Sequence, residues 1–432
     1  MRSCLISLLF IALSGCGGGD SSDTVPTGTL ELTVIDGASA TPISGARIIV
    51  IDGGTGESID LLSSDASGNA SEVYETGALQ LRVSTQGYSQ SPPPGIPPLP
   101  VQIVQDQTTS ITVRLYALAA GERGLISGQV TDNRGLPAVA ALIVAEAEDG
   151  TLLSTISGPN GGYILNNVPT GSATLSAFLG GNNFPVTDLV SVIADTETTQ
   201  DIAAVSTATG EISGHVSFSA ISGDIIDITL LHPGTRDPLP GLRTLTNAGG
   251  DYVLTGVPNG DFEIIASLEN DGFVLDPDES VTQGVPVVQI TEAVPVMTRG
   301  FKVTGSVQLT SPDSTTDASI PELSSIPTFT WVKASSYASA DFFVVEVVDE
   351  SGESIWGGFD SANNFMPLVT IAQGNEPSVG YNSDGTATLA VLEEGRHYQF
   401  RVYAAVTDAN EIRGYRLLSS GETLDGIFRV TM

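Results

Sequence analysis

Short runs in which apolar and polar side chains alternate are the dominant pattern along this chain. Strand-like runs occur at 46–52 (ARIIVID), 141–147 (ALIVAEA) and 225–231 (IIDITLL), each bounded by Gly, Asp, Asn or Pro. A period of two places every second side chain on one face of a β-strand. No long stretch has apolar residues at helical spacing. The pattern predicts an all-β protein built from tandem two-sheet sandwiches of about seven short strands each.

One motif is repeated within the chain. The segment GPNGGYILNNVPTG at 158–171 returns 89 residues later as NAGGDYVLTGVPNG at 247–260, and a fainter copy has Gly68 where these have Gly161 and Gly250. A repeat of this length is the size of a small domain and is too long for a solenoid unit. We interpret the paired glycines as a tight hairpin turn that needs positive φ. The repeated motif is therefore predicted to be structural and not a binding loop.

The order of these signals resembles the carboxypeptidase regulatory-like domain, a transthyretin-like β-sandwich. The first copy carries TPISGARIIV, SSDASGN and QGYS, and the second carries LPAVAALIV and GPNGGYILNNVPTG. The third keeps the turn and the Pro-Gly step but begins differently. The resemblance implies three Ig-like or transthyretin-like sandwiches, at 29–118, 122–207 and 210–300. It implies a fold and no activity, because proteins of one fold differ in their sites.

The C-terminal quarter has a different pattern. A polar run makes 301–318 a predicted linker, and a new domain is predicted at 319–432. There LEEGRHYQFRVYA, at 392–404, resembles the fibronectin type III signature. The resemblance implies that the hydroxyl of Tyr398 bonds to nearby backbone at a sheet corner, and that Trp331 lies in an early core strand.

The first sixteen residues predict where the protein is located. The apolar run at 4–13 is shorter than the roughly 20 residues of a spanning helix and suits a secretory signal. LSGC at 13–16, followed by GGGDSSD, resembles a bacterial lipoprotein signal. The resemblance implies a signal peptide at 1–15 and a lipid on Cys16 that anchors the chain in a membrane. The Gly, Ser and Asp content of the following residues predicts a flexible tether at 16–28. An ordinary signal peptide with an incidental cysteine is the alternative.

Two consequences follow from the lipoprotein resemblance. Gly17, where an Asp would imply inner-membrane retention, favours the outer membrane or the cell surface, on either its periplasmic or its extracellular face. The other cysteine, Cys4, would be removed with the signal peptide. The mature chain would then have no disulfide, so each domain would depend on its hydrophobic core.

The charge balance limits the classes of partner. With 50 acidic and 16 basic residues the net charge is −34, which repels phosphate backbones and argues against a nucleic-acid partner. A solvated surface is the simple interpretation of this charge, and calcium binding is the alternative. Hard oxygen ligands of the kind that calcium prefers gather in ENDG at 269–272 and in DPDES, where the candidates are Asp276, Asp278 and Glu279.

The sequence has no recognisable catalytic set. Its three histidines, His215, His232 and His397, are scattered, and neither a zinc-binding pattern nor a nucleophile elbow is present. No enzymatic activity and no cofactor are expected, with calcium as the exception named above. Trp356, Phe365 and Tyr381 are candidates for an aromatic glycan-binding platform, although sandwich cores also need aromatic residues. The proline run at 91–100 is expected to bridge strands or cap an edge, with recognition as an alternative.

These observations predict a non-enzymatic, membrane-anchored surface lipoprotein that acts as a stalk or an interaction scaffold for a protein or glycan partner. A glycan- or peptide-binding accessory of an uptake or degradation system is the second hypothesis. An enzyme of unrecognised type is the third.

Overall fold

The computed structural model describes residues 25–92, 98–119, 121–218, 225–266, 272–291, 294–312, 321–332, 339–349, 353–373, 377–422 and 425–431. The predicted signal peptide, Cys16 and most of the tether lie outside these residues, as do 93–97 of the proline run and 269–271 of ENDG. The described residues form 36 strands and one helix, which confirms the all-β class. Among them, no helix is both long enough and apolar enough to cross a membrane.

The first sandwich consists of two sheets that enclose one hydrophobic core. One sheet has the strand order β4-β1-β7, with β1 antiparallel to β4 and parallel to β7, and the other has the order β3-β2-β5-β6. Leu30, Leu32 and Val34 of β1 alternate into the core. The strands are β1 Thr27–Asp36, β2 Arg47–Asp52, β3 Ser58–Ser63, β4 Asn69–Glu75, β5 Gly77–Ser84, β6 Leu99–Ile103 and β7 Thr108–Leu115.

The second sandwich repeats this topology. Its sheets have the orders β11-β8-β14, with β15 also paired to β8, and β10-β9-β12-β13. The opening strand β8 is again antiparallel to one neighbour and parallel to the strands that close the sandwich. The strands are β8 Arg123–Thr131, β9 Leu142–Ala147, β10 Leu152–Ile156, β11 Gly162–Pro169, β12 Gly171–Phe178, β13 Val190–Val192, β14 Glu197–Thr199 and β15 Ile202–Ala203.

The third sandwich follows the same plan with additions. Its sheets have the orders β19-β16-β24-β21, with β23 also paired to β16, and β18-β17-β20-β22. The internal repeat of the sequence is therefore a repeated sandwich. The elements are β16 Gly210–Phe218, β17 Asp227–Leu231, β18 Pro238–Leu245, β19 Asp251–Val257, β20 Gly260–Ala266, β21 Phe273–Leu275, helix α1 Pro277–Gln283, β22 Val287–Ile290, β23 Val296–Met297 and β24 Phe301–Gly305.

The fourth sandwich has a different topology. One sheet has the order β25-β27-β33, the other has β26-β36-β34-β28-β29 with β32 and β35 attached, and β30 pairs with β31. The strands are β25 Leu309–Ser311, β26 Glu322–Leu323, β27 Thr328–Trp331, β28 Phe342–Asp349, β29 Ser354–Gly357, β30 Phe359–Asp360, β31 Met366–Pro367, β32 Thr370–Ala372, β33 Ser378–Gly380, β34 His397–Thr407, β35 Tyr415–Ser420 and β36 Ile427–Val430.

The segment predicted as a linker, 301–318, contains two strands, so its prediction as a linker is corrected. Strand β24 pairs with β16 and completes the third sandwich, and β25 pairs with β27 in the fourth. The apolar side chains of Phe301 and Val303 drive this pairing, since both are buried in the core of the third sandwich. In the fourth sandwich the backbone N–H of Glu393 donates to Oη of Tyr398 at 3.1 Å, and Trp331 is buried in β27.

The repeated glycine motif forms a corner between sheets. Gly161 has a φ of 79°, and its carbonyl accepts a hydrogen bond from the N–H of Val130 at 2.8 Å. The strands on its two sides, β10 and β11, belong to different sheets. The motif is therefore not the predicted hairpin, but its role in this structure is conformational, as expected.

The sandwiches also pack against one another. Strand β2 directs Ile48 and Val50 into its own core. Its other face carries Ile49 and Ile51, which belong to one continuous apolar cluster with side chains from the second and third sandwiches, among them Leu142, Val144, Leu239 and Leu242. Because the outer faces of these sheets are apolar, the three repeats bury them against each other.

Candidate ligand cavity between three sandwiches

The acidic residues suggested as calcium ligands surround the start of helix α1. Oδ1 of Asp276 accepts from the N–H groups of Asp278 and Glu279, at 2.9 and 3.3 Å, as an N-cap residue does. Its Oδ2 pairs with Nζ of Lys302 at 2.5 Å. Oε2 of Glu279 accepts from the N–H of Lys302 at 2.8 Å. These carboxylates are therefore engaged by protein groups, and no cluster of three metal-ligating side chains occurs in the described ranges.

Two of the three aromatic candidates are core residues. Trp356 and Tyr381 each expose only 2% of their surface, and their rings meet edge to face at 5.5 Å. The indole N–H of Trp356 donates to Oδ1 of Asp384 at 2.8 Å, and the hydroxyl of Tyr381 donates to the carbonyl of Leu389 at 2.8 Å. Burial raises the pKa of Tyr381 to about 12. The expectation that these two rings form an exposed platform is thus corrected, because the fourth sandwich needs both for its core.

The three histidines lie on or next to three different strands. His215 is in β16, where its Nδ1 lies 2.9 Å from Oδ1 of the exposed Asp251. His232 follows β17, and burial lowers its pKa. His397 is buried at the start of β34. The structure does not bring these side chains together.

One cavity lies where the first, third and fourth sandwiches meet. We call it the interdomain cavity, with a volume of about 580 Å³. Its lining includes Gln80 from the first sandwich, Leu231, Arg236, Ile265 and Phe273 from the third, and Glu346, Phe359, Phe365, Tyr403 and Glu422 from the fourth.

Gln80 reaches the cavity because of the alternation in β5. Leu79, Leu81 and Val83 of this strand face the core of the first sandwich, so Gln80 and Arg82 occupy the outer face. Packing of the third sandwich buries that face, and Gln80 is only 2% exposed. Its Oε1 is buried and accepts no hydrogen bond within the described part of the chain. An unsatisfied buried acceptor of this kind costs about 1–3 kcal/mol.

The wall from the fourth sandwich is aromatic and acidic. The rings of Phe359 and Tyr403 meet edge to face at 5.1 Å. Burial is the main cause that raises the pKa of Tyr403 to about 12, and the negative charge of the neighbouring Glu346 adds to the effect. The hydroxyl of Tyr403 is therefore neutral at physiological pH. Oε2 of Glu346 lies 3.7 Å from Nη1 of Arg401. The wall therefore combines flat apolar surface with a carboxylate.

Phe365, the third aromatic candidate, lies on the rim. It is 42% exposed and has a φ of 56°, and Asn364 before it has a φ of 51°. For a bulky residue this conformation costs of order 1–3 kcal/mol and needs support from its surroundings. Tyr415 supplies it, since its hydroxyl donates to the carbonyl of Phe365 at 2.5 Å. Such strained residues cluster at binding sites.

A second, more open groove of about 500 Å³ lies between the first two sandwiches. It is lined by Arg47, Leu61 and Asp201, and by Asn160 and Gly162 of the repeated motif. Nε and Nη2 of Arg47 are buried and have no hydrogen-bond partner among the described residues, and burial lowers the pKa of this guanidinium. The repeated motif thus borders a groove, although its own residues are explained by the corner that they form.

Comparisons with known proteins identify no family. No family model matches the chain, and no curated protein matches it. Among solved structures it is similar to the Bacillus anthracis TIE protein, with 12% identity, a TM-score of 0.18 and coverage of 63% of this chain and 50% of the other. The chain thus spans about half the length of that protein.

Two pilin structures give similarities of the same size. The shaft pilin SpaA from Lactobacillus rhamnosus GG has 10% identity, a TM-score of 0.20 and coverage of 41% of this chain and 97% of that one. BcpA, the major pilin subunit of Bacillus cereus, has 10% identity, a TM-score of 0.19 and coverage of 63% and 99%. Such low TM-scores assign no function to this chain.

Proposed function

We propose that this protein is a non-enzymatic, lipid-anchored scaffold at the cell surface, in which four β-sandwiches are held together as one block and bind a protein or glycan partner. The observation that carries the proposal is a buried ion pair between the first and third sandwiches. Nη2 of Arg82 lies 2.8 Å from Oδ1 of Asp237, and the two side chains are 2% and 5% exposed. This pair favours one defined arrangement of the two sandwiches, because each of these charges keeps its buried partner only in that arrangement.

Polar contacts at the other junctions support the same arrangement. Between the first and second sandwiches, Nδ2 of Asn167 donates to the carbonyls of Thr85 and Tyr88 at 2.7 Å each. Between the second and third, Oδ1 of Asn183 accepts from the N–H of Asn259 at 2.8 Å. These contacts depend on a defined orientation of neighbouring sandwiches, so they favour a rigid scaffold, and the ion pair between the first and third sandwiches makes that scaffold compact.

Small-angle X-ray scattering tests the scaffold, using a form of the protein that begins at Gly17. A compact chain of this length has a radius of gyration of roughly 22–25 Å, whereas four sandwiches placed end to end would exceed roughly 35 Å. We expect the smaller value, with little change between low and high salt. A value in the larger range would overturn the compact scaffold and favour the stalk.

The lipid anchor is a separate part of the proposal and rests on the sequence at 4–16. Acyl chains on Cys16 would hold the protein durably, while the net charge of −34 repels anionic headgroups and keeps the sandwiches away from the membrane surface. We expect mass spectrometry of the native protein to find an acylated N-terminal Cys16. The variant Cys16→Ala should lose acylation, and an unacylated native protein would overturn the anchor.

A further inference from the structure

The interdomain cavity has the size and lining of a small-molecule site. Its volume of about 580 Å³ falls within the range of roughly 300–1,000 Å³ that is typical of ligand pockets. Leu231 and Ile265 from the third sandwich and Phe359 from the fourth all supply apolar surface to the lining. A hydrophobic molecule in the cavity could therefore contact apolar side chains of two sandwiches.

Gln80 supplies a buried polar group to this lining. Its buried Oε1 has no hydrogen-bond donor among the residues that the structure describes, although buried acceptors in proteins are nearly always paired. A ligand with an O–H or N–H group would satisfy this oxygen. In ligand pockets, a small number of well-placed polar groups determines the specificity.

The charges of the lining disfavour an anionic ligand. The cavity is lined by the carboxylates of Glu346 and Glu422 and by one cationic side chain, that of Arg236, in the part of the chain described. The guanidinium of Arg236 is already occupied, since its Nη1 lies 2.8 Å from Oε2 of Glu263. With two carboxylates against one paired guanidinium in this lining, and a net charge of −34 over the whole chain, a negatively charged ligand is disfavoured electrostatically.

The rim adds an aromatic side chain in an unfavourable backbone conformation. Phe365 lines the cavity, is 42% exposed and is held at a φ of 56°. Nothing in the core of the fourth sandwich requires this ring, because Phe365 is not part of that core cluster. This ring is therefore available to a molecule in the cavity.

We propose that the interdomain cavity binds a small aromatic molecule that carries a hydrogen-bond donor and no negative charge. The donor bonds to Oε1 of Gln80, and the ring packs against Phe359 and Phe365. This role goes beyond the scaffold function and requires only that the first, third and fourth sandwiches keep their arrangement.

Two fluorescent probes test the proposal on the full chain. N-phenyl-1-naphthylamine is neutral, aromatic and has one N–H donor, and 1-anilinonaphthalene-8-sulfonate has the same ring system with an added sulfonate. We expect the neutral probe to bind saturably at one site per chain, and the sulfonate to bind at least about tenfold more weakly. Equal binding of the two probes, or no saturable binding of the neutral one, would overturn the proposal.

The variant Gln80→Leu removes the acceptor and keeps the approximate volume of the side chain. We expect it to bind the neutral probe about five- to tenfold more weakly, the size of one lost hydrogen bond, without a lower melting temperature. The exposed Gln105 provides the control, and Gln105→Leu should bind like the wild type. Unchanged affinity in Gln80→Leu would contradict the assigned role of Gln80.

A second variant protects the test against a folding defect. Phe365→Gly suits the positive φ at this position, so we expect weaker probe binding with an equal or higher melting temperature. Scattering data on the same samples separate the two proposals. A compact protein that binds no probe would overturn this inference alone, and an extended protein that binds none would overturn both.

Discussion

At the scale of single residues, one backbone hydrogen bond explains the repeated glycine motif. In each of the first three sandwiches, the carbonyl of the corner glycine accepts from the N–H of a valine in the opening strand; the pairs are Gly68 with Val34, Gly161 with Val130 and Gly250 with Val216. All three glycines have positive φ. A Cβ at these positions would lie 2.3–2.6 Å from the carbonyl oxygen of the same valine. Both the backbone conformation and the available space therefore require glycine.

The substitution Gly161→Ala should destabilise the second sandwich. The left-handed conformation costs an alanine about 1–2 kcal/mol, and its Cβ would also be 2.6 Å from the carbonyl oxygen of Val130. We expect a lower midpoint of urea unfolding. Gly158→Ala, in the same turn, is the matched control, because its nearest heavy atom would be 3.7 Å away. Equal effects of the two substitutions would contradict this explanation.

At the scale of elements, the short helix α1 joins the two sheets of the third sandwich and contacts the fourth sandwich. It begins after the N-cap Asp276, with Pro277 in its first turn, and ends before Gly284, which has a φ of 73°. Its Asp278 contacts the fourth sandwich, where Oδ1 accepts from Nη2 of Arg413 at 2.7 Å and from the N–H of Leu417 at 2.8 Å. The acidic cluster thus holds the third and fourth sandwiches together. Its composition alone does not show whether such a cluster makes protein contacts or binds a metal.

The substitution Asp278→Ala should weaken the junction between the third and fourth sandwiches. It removes one hydrogen bond to a charged group and one to backbone, and leaves the guanidinium of Arg413 buried. We expect a loss of about 1.5–3 kcal/mol in the free energy of unfolding, measured in urea. The exposed Asp261 is the control, and Asp261→Ala should have little effect.

Calcium addition or chelation, measured on the wild type in the same series, should leave the unfolding midpoint unchanged. A clear rise with calcium would show that these carboxylates bind metal after all.

At the scale of the whole molecule, the sandwiches are joined by surfaces that a separate sandwich would expose to water. The apolar outer face of β2 and the polar outer face of β5 are both buried by neighbours. The first sandwich contacts the third across an ion pair, although the second separates them in the sequence. The cavity exists only because three sandwiches meet.

Single substitutions of the buried ion pair should be more damaging than the double substitution. Arg82→Met or Asp237→Leu leaves one buried charge unpaired, which costs about 3–5 kcal/mol. The variant that carries both should recover much of this loss in urea unfolding and should keep the wild-type radius of gyration.

Arg134→Met is the control. Its side chain is 73% exposed in the pair with Asp132, so it should cost at most about 1 kcal/mol. Additive losses in the double variant would show that the two side chains are not coupled.

Much of the fold could be predicted from local patterns. The alternation of apolar and polar residues in strands such as β1 identified the all-β class, because the side-chain period is set by the local backbone. The glycine motif at Gly161, which returns at Gly250, identified the repeated units, because a residue with positive φ is usually glycine. The corner at Gly161 was predicted as a hairpin, since a turn residue does not indicate whether the flanking strands share a sheet. Strand β24 was missed because its short apolar run follows loop residues.

The candidate site was predicted only in part. Phe365 was predicted as one of three candidate aromatic residues. The sequence around it did not distinguish it from Trp356 and Tyr381, which are buried. Gln80 was not identified, because a polar residue at an outward position of β5 predicts contact with water. The sequence by itself determined the strand alternation, the corner glycines and the predicted anchor, because each depends on residues close together in the chain. It also determined the net charge, which depends on composition alone. Only the tertiary structure decided which outer faces are buried and that a cavity forms among them, because these depend on contacts between distant segments.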